Sequence, residues 1–513
     1  MVRGRLVRLA LVLLAVGLGL LPGCREGQAV SVPALPYGPS SCVVDLSYNF
    51  STSAIDPDGD SVSIRYSWGD GETSDWSEWV YSDAWVTRNH SWSCPGTFKV
   101  TAQAKGRDSS VSAWSEPRWV VTSRVIATWA RTYGGAAADQ GNSVCEVPGS
   151  GYIITGQSAS CGSGGLDAWL IRTDLNGETT WTRTFGGSGW DESRMGQPTS
   201  DGGFILAGQT SSGGAGQTDF WLVKTDDQGN PSWEKTFGGA DYDGAYSVLQ
   251  TGDGGYIATG YTWSIGAGHG DVWVVKTDAA GNEEWDRTFG IPADEEWGQA
   301  ILQTRDGGYL VAALTYPFAD RVCDVWLIRT DSAGSTLWDK IIGSAGEDWV
   351  FSIQPSLGGG FVLAGYTDSY GAGGIDVWLA RIDSIGNLEW SRTYGGPKPD
   401  AAASVTRTVD GGYVIAGYTE SYGSGRRDAW LVRVRANGDT VWTRTYGGAA
   451  DDEACSVRAT QDGGFVVAGK TESYGAGAGD VWLMKTDAEG RVGEMDEVRM
   501  QKLEARMQNE RKD

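Results

Sequence analysis

The sequence has very little histidine: only His90 and His269 in 513 residues, in different segments of the chain. This scarcity argues against a histidine-rich metal centre or a histidine-based catalytic triad. Basic residues are also in the minority: the sequence has 41 Lys and Arg against 65 Asp and Glu, which gives a formal net charge of −24. Nucleic-acid binders need a basic surface, so we expect no nucleic-acid partner. Long apolar runs are few, while 76 glycines and 25 tryptophans indicate a turn-rich, all-β protein.

The first residues are typical of a targeting segment. Arg3, Arg5 and Arg8 precede an apolar run over residues 9–21 that is too short for an ordinary transmembrane helix. The following Leu-Pro-Gly-Cys, residues 21–24, resembles the bacterial lipobox, which implies that Cys24 is lipidated and becomes the new N-terminus. The alternative is a plain secretory signal. Both interpretations predict an extracytoplasmic protein, and the lipobox implies an anchor to a bacterial membrane, in the periplasm or at the cell surface.

A small module over residues 37–123 contains short β-like runs separated by Gly, Pro, Asp and Ser. Its "WGDG" at residues 68–71 and its "HSW" and "PGTFKV" at 90–92 and 95–100 resemble the motifs of the PKD family. The resemblance implies an Ig-like β-sandwich that acts as a spacer or adhesion module. Cys42 and Cys94 lie near the two ends of this module, and we predict a disulfide between them.

The same module contains "DPDGD", which places Asp56, Asp58 and Asp60 at alternating positions. Calcium loops use this spacing of carboxylates. No bidentate Glu follows at the EF-hand spacing, and Asp and Gly also favour solvated turns. We therefore expect a turn, keep calcium as the alternative, and predict no other cofactor.

Two series of tryptophans recur through the rest of the chain at intervals of 52 or 53 residues. The first series is Trp129, Trp181, Trp233, Trp285, Trp338, Trp390 and Trp442, and the second is Trp169, Trp221, Trp273, Trp326, Trp378, Trp430 and Trp482. A fixed period of this length indicates a repeat architecture. Each unit holds four strand-length runs, so we predict a seven-bladed β-propeller rather than an open solenoid.

The phase of the repeats predicts how the ring closes. The chain enters with "ATWARTYGG", a fourth strand without its first three, and leaves with "GDVWLMKTD", a third strand without its fourth. The N-terminal strand at 126–134 should therefore complete the seventh blade and remove a free edge. The predicted domains are a signal peptide (1–23), a linker (24–36), the sandwich (37–123), the propeller (124–493) and a charged helical tail (494–513).

An aspartate begins the D-x-W motif in all seven copies: Asp167, Asp219, Asp271, Asp324, Asp376, Asp428 and Asp480. We interpret these residues as caps of nearby backbone N–H groups, with a ring of binding carboxylates as the alternative. The turn D-x-x-G-x-x-x-W after this motif resembles the sialidase Asp box and the docking hairpin of quinoprotein propellers. Both resemblances cover this hairpin alone, and no sugar-gripping arginines, quinone site or calcium site can be identified from them.

Two kinds of connection are expected on one face of the propeller. Those from a fourth strand to the next first strand are acidic, and those from a second to a third strand carry aromatics and glycine. The candidate binding residues are Tyr370, Tyr422, Tyr474, Trp263, Asp451, Asp452 and Glu453. Such a rim could bind a protein, a sugar or a cation, while a solvated surface is the alternative.

The sequence thus predicts a monomeric, non-catalytic binding or scaffolding lipoprotein of the bacterial cell envelope. Its propeller face would contact an envelope protein, and its lipid anchor the membrane. The alternatives are a carbohydrate-binding adhesin and, less favoured, a polysaccharide hydrolase or lyase. Catalysis would need one blade to supply an acid, base or nucleophile, and no blade departs from the repeat in that way.

Overall fold

The computed structural model describes residues 29–493 apart from 45–46, 124–126, 293 and 318–321. The predictions for the targeting segment, for Cys24 and for the tail at 494–513 lie outside these residues. The chain divides into two compact units, residues 1–125 and 126–513. The described residues form strands and turns and no helix, so none of them belongs to a helix that could span a membrane.

The first unit is a β-sandwich. Its strands are β1 (Ser41–Val43), β2 (Tyr48–Thr52), β3 (Val62–Ser67), β4 (Val86–His90), β5 (Gly96–Gly106) and β6 (Arg118–Ser123). One sheet has the order β1-β6-β5-β3 and the other pairs β2 with β4. Phe50 from the second sheet packs edge-on against Trp68 and Trp92, with ring centroids 5.8 and 5.9 Å apart. The apolar faces of both sheets therefore share one core.

The second unit begins with β7 (Trp129–Tyr133) and continues as six consecutive four-stranded sheets and three final strands. Blade 1 is β8–β11 (Asp139–Val147, Gly151–Ser158, Asp167–Thr173, Thr179–Phe185), and blade 2 is β12–β15 (Asp191–Pro198, Phe204–Thr210, Asp219–Thr225, Pro231–Phe237). Blade 3 is β16–β19 (Asp243–Gln250, Tyr256–Thr262, Asp271–Thr277, Glu283–Phe289), and blade 4 is β20–β23 (Glu295–Gln303, Tyr309–Tyr316, Asp324–Thr330, Thr336–Ile342).

Blade 5 is β24–β27 (Asp348–Pro355, Phe361–Thr367, Asp376–Ile382, Leu388–Tyr394), and blade 6 is β28–β31 (Asp400–Arg407, Tyr413–Thr419, Asp428–Val434, Thr440–Tyr446). Blade 7 holds β32–β34 (Asp452–Ala459, Phe465–Thr471, Asp480–Thr486) and takes β7 as its fourth strand. The pairing of β34 with β7 is antiparallel, from Val481↔Tyr133 to Lys485↔Trp129.

Contacts between the last and first blades close the ring. The backbone N–H of Val144 in blade 1 donates to Ser456 Oγ in blade 7 at 3.2 Å, and the N–H of Gln461 donates to Glu146 Oε2 at 2.9 Å. Side chains of both blades share one apolar cluster. The fold is therefore all-β, an Ig-like sandwich followed by a propeller whose N-terminal strand closes the last blade, as the repeat phase predicts.

The outer-strand tryptophans join each blade to the next. Trp233 in blade 2 donates its indole N–H to the Ala279 carbonyl of blade 3 at 3.2 Å, and its ring lies against Gly281. Gly281 has φ +76°, and a Cβ there would come within 2.9 Å of the indole. Trp129 makes the same bond to the Leu175 carbonyl at 3.1 Å, across the closure. Glycine is needed in this turn for its backbone conformation and to leave room for the neighbouring blade.

Candidate functional site

The connections of the propeller meet on one face, as expected from the four-stranded repeat. The loop between the second and third strands of blade 1 contacts the loop that enters blade 2, since the N–H of Asp191 donates to the Leu166 carbonyl at 2.7 Å. The N–H of Ser211, in the next such loop, donates to the Trp190 carbonyl at 2.9 Å. We call the surface formed by these two kinds of loop the loop face.

Each innermost strand carries a buried acid at or next to its start, and we call this set the acid ring. Asp400 is representative: Thr419 and Ser421 donate hydroxyl protons to it, and the N–H of Gly396 donates at 2.8 Å. These bonds tie the two loops of the loop face together. The members are Asp139, Asp191, Asp243, Glu296, Asp348, Asp400 and Asp452, all 0 or 1 % exposed.

The acid ring corrects the prediction for Asp452. This residue does not face a partner on the surface, because its carboxylate is fully buried and accepts bonds from Thr471, from Ser473 Oγ at 2.6 Å and from the N–H of Gly448 at 2.9 Å. Glu453 is engaged as well, since Arg427 donates to it at 2.7 Å. Asp451 Oδ1 lies 3.9 Å from Arg426 Nε. The three acids therefore do not form an open patch of carboxylates.

Six of the seven aspartates of the D-x-W motif, all but Asp324, are buried beneath the loops between second and third strands. Asp376 accepts bonds from the N–H groups of Ala372 at 2.9 Å and Gly373 at 3.3 Å. A carboxylate that accepts backbone N–H groups orders the turn above it. Equivalent bonds are made by Asp167, Asp219, Asp271, Asp428 and Asp480. Asp324 occupies the same strand position in blade 4.

Most of the large exposed apolar side chains described on the loop face are aromatic rings, and Ile265, which is 45 % exposed, accompanies them. Tyr370 and Tyr422 are each 49 % exposed and Trp263 is 43 % exposed. The Tyr422 hydroxyl donates to the Gly395 carbonyl at 2.9 Å, which fixes the ring at the surface. Tyr474 makes the equivalent bond to Gly447 at 2.9 Å and is only partly exposed.

Two further rings on this face, Trp190 and Tyr242, were not among the predicted residues. Trp190 is 56 % exposed and Tyr242 is 41 % exposed. The Tyr242 ring packs edge-on against Trp263, with centroids 5.9 Å apart. Each of them stands immediately before a residue of the acid ring, where the other blades carry Ala, Pro, Asp or Glu. An aromatic in that otherwise small or acidic connection was the available signal.

A second set of side chains lines the central channel, and we call it the channel ring. In every innermost strand the pairing with the second strand skips one residue, which forms a β-bulge. A bulge re-aims the side chain of the extra residue. The skipped residues all line one cavity of about 540 Å³; they are Asn142, Arg194, Tyr246, Gln299, Phe351, Ala403 and Cys455.

The sequence did not single out the channel ring, although a signal for it exists. The residue after the bulge is Ser in five of the seven blades, and the next is Val or Ile in six. The bulge position itself carries seven different residues. When the seven repeats are aligned, the variable position just before two nearly constant ones therefore marks the channel. Only the strand register shows that the side chains at this position share a cavity.

In the sandwich, "DPDGD" forms a turn. Asp56 is buried, and its Oδ1 accepts the N–H groups of Asp58 at 3.0 Å and Asp60 at 3.3 Å. Within the part of the chain that the structure describes, these three residues do not bring three ligand atoms together. The calcium alternative is therefore not supported, because the one buried carboxylate caps its own turn.

Another group of the sandwich does bring ligand atoms together. Asp70, Glu72 and His90 place theirs within 4.8 Å of one another. The Asp70 Oδ2 to His90 Nε2 distance is 2.7 Å, and the His90 ring stacks on Trp68 at 4.7 Å. This contact joins the two motifs that resemble the PKD family.

The predicted disulfide of the sandwich is wrong. Cys42 and Cys94 are both free thiols. Cys42 is buried in the core of the sandwich, and this burial raises the pKa of its thiol. Cys94 is exposed in the turn before β5. The two side chains point to different environments, so closeness to the ends of one module was not sufficient to pair them.

Comparison with known proteins places these features in context. Residues 34–117 match the PKD domain family. The regulatory protein FlaEY of Caulobacter vibrioides is 30 % identical over 161 residues, covering 26 % of this chain and 17 % of FlaEY. The chain thus spans about a sixth of the length of that relative.

Similar solved structures include the PKD domain of an M14-like peptidase from Thermoplasmatales archaeon SCGC AB-540-F20. It is 29 % identical, with 19 % of this chain and 98 % of that one covered and a TM-score of 0.18. The β-propeller domain of the Trilobed protease from Pyrococcus furiosus is 10 % identical, with 71 % and 97 % covered and a TM-score of 0.37. The fold described above rests on the strand pairing and not on these similarities.

Proposed function

We propose that this protein is a non-catalytic binding protein of the bacterial cell envelope and that its loop face contacts a protein partner. The observation that carries the proposal is the set of exposed aromatic rings on that face, which are Trp190, Tyr242, Trp263, Tyr370 and Tyr422. Tyrosine and tryptophan are enriched at the centres of protein interfaces, where they bury large areas at a small cost in conformational entropy.

The pattern of hydrogen bonds favours a protein over a sugar as the partner. Sugar recognition needs polar groups beside the stacking ring that are free to bond hydroxyls. Next to Tyr422 and Tyr474, Asp400 and Asp452 are buried and already bonded, and Glu453 is paired with Arg427. The rings therefore offer apolar contact with few unengaged carboxylates around them.

The envelope location is supported by the N-terminal sequence and by the PKD match, since PKD domains are typically extracellular. The lipid anchor at Cys24 belongs to the proposal and lies outside the described residues. The proposal assigns no catalysis to the loop face.

The test is co-purification of the full lipoprotein from cross-linked envelopes of the cells that make it, with protein and glycan both analysed. We expect a stoichiometric protein partner for the wild type. The double variant Y370A/Y422A should lose the partner, because it removes two rings that are each 49 % exposed. Tyr422 also packs against the buried Trp430 at 5.7 Å, so the folding of the variant is checked by thermal denaturation. The matched control is Y81A, which removes a ring that is 85 % exposed in the sandwich.

The variant W263A tests whether the contact extends to blade 3. Recovery of glycan alone would contradict a protein partner and favour the adhesin. An unchanged partner in the double variant would show that the loop face is not the contact surface.

A further inference from the structure

The central channel holds charge of the opposite sign to the protein as a whole. Among the residues that the structure describes, its cavity is lined by two charged side chains, Arg194 and Arg458, and by no Asp or Glu. The chain itself carries a net charge of −24. Two arginines in a narrow cavity raise the local concentration of anions. The lining of the cavity thus carries positive charge in an acidic protein, with Arg194 paired to Glu192 and Arg458 in no ion pair of the described residues.

Arg194 is held in place for such a role. Its Nε donates to Glu192 Oε1 at 2.6 Å, and Glu192 is itself buried. Its guanidinium lies 5.4 Å from the centre of the Tyr246 ring. Among the described residues nothing accepts a hydrogen bond from its two Nη groups, and 45 % of its side chain is exposed. Those two groups match the spacing of a carboxylate.

The opposite wall of the channel is aromatic. Blade 5 lies three blades from blade 2 and contributes Trp349 and Phe351, whose ring centroids are 5.9 Å apart. Trp349 is backed by Tyr366, which stacks on it at 5.5 Å. The Trp349 indole N–H has no acceptor in the described part of the chain. That N–H is buried within the wall, so the wall offers flat apolar contact to a ligand.

We propose that the channel cavity binds a small, flat organic carboxylate. Arg194 holds the carboxylate through its Nη groups, Arg458 adds positive potential, and Phe351 and Trp349 contact the apolar part. A cavity of about 540 Å³ has the volume of ordinary small-molecule sites. This inference goes beyond the proposed function and does not depend on it, since none of these side chains belongs to the exposed aromatics of the loop face.

The experiment is isothermal titration calorimetry on the full-length protein in detergent with two isosteric probes, indole-3-acetate and its neutral amide. We expect the carboxylate to bind at least about tenfold more tightly than the amide, because hydrogen bonds between arginine and a charged carboxylate are stronger than those to a neutral amide. R194M should lower the affinity for the carboxylate by about tenfold to a hundredfold and remove the preference over the amide.

Further variants separate binding from folding. R194M leaves the buried Glu192 without its partner, so R458M, which breaks no ion pair of the described residues, is the second variant and should weaken the carboxylate several-fold. F351A should weaken both probes equally. The control R305M makes the same change of charge at an exposed turn and should bind as the wild type does.

Four results would overturn the proposal, of which three concern the indole probes and the variants. They are equal affinity for the two probes, no binding of either at millimolar concentration, and an effect of R305M as large as that of R194M. Tighter binding of phenyl phosphate than of both indole probes would also overturn it, by assigning the cavity to phosphate esters.

Discussion

The acid ring and the channel ring come from the same seven strands, three residues apart, and they differ in every other respect. The acid ring is Asp or Glu in all seven blades and is buried in hydrogen bonds. The channel ring has seven different residues and lines a cavity. Repetition within the chain thus marks the groups that hold the loops of each blade together, and divergence marks the side chains that line the channel, where we propose that a ligand binds.

The largest effect should follow from removing one member of the acid ring. D400A leaves the Thr419 hydroxyl and the Gly396 N–H buried without their acceptor, while the Ser421 hydroxyl keeps the Lys398 carbonyl at 3.0 Å. We expect a loss of about 3 kcal/mol or more in the free energy of unfolding, measured by thermal and urea denaturation. The control D227A removes an exposed aspartate and should stay within about 0.5 kcal/mol. Equal stability of D400A and D227A would contradict a structural role for the acid ring.

A smaller and pH-dependent effect is expected at Glu296, the one glutamate of the acid ring. Burial of its carboxyl group raises the pKa to about 8, and the nearby negative charges of Asp271 and Asp294 raise it in the same direction. The folded protein therefore holds a proton that the unfolded chain releases near pH 4.5. The stabilisation from this proton is complete below that pH and is lost as the pH rises toward 8 and above.

E296Q removes this titration. We expect its unfolding midpoint to fall less than that of the wild type between pH 6 and pH 9. The control E489Q, at an exposed turn, should follow the wild type. Parallel curves for wild type and E296Q would show that Glu296 is ionised in the folded protein throughout this range.

The smallest effect on stability should come from the channel ring. F351A replaces a partly exposed ring by the residue that blade 6 has at the same position, Ala403. We expect a loss of about 1 kcal/mol or less. The neighbouring variant V350A, at a fully buried side chain, should cost more because it leaves a cavity in the core. A larger loss in F351A than in V350A would place Phe351 among the structural residues.

The fold could be predicted from the sequence because its signals are local and repeat. The tryptophan intervals give the blade count, and the phase of "ATWARTYGG" against "GDVWLMKTD" gives the closing strand. The environment of Asp452 could not be predicted in this way, since a turn aspartate is soluble whether it faces water or a neighbouring loop. A usable signal was the Ser or Thr that follows every acid-ring residue by 19 positions, as Thr471 follows Asp452.

The residues that line the channel could not be predicted from the sequence for a different reason. Alternation along a strand assigns each residue to one of two faces, and a bulge breaks that alternation at one residue. Arg194 and Phe351 are 157 positions apart and share a cavity only because blades 2 and 5 face each other across the ring.

The pairing of β7 with β34 sets the order in which the propeller can fold. Its partners are about 350 residues apart in sequence, whereas the other strand pairs of the blades join neighbours along the chain. Closing so long a loop carries an entropic cost that local hairpins do not have, and non-local contacts slow folding. Individual blades can form as their strands emerge, but the ring is complete only when both ends of the propeller are available. We therefore expect closure to come late in folding, and we expect a chain exported in an unfolded state to complete that step after it has crossed the membrane.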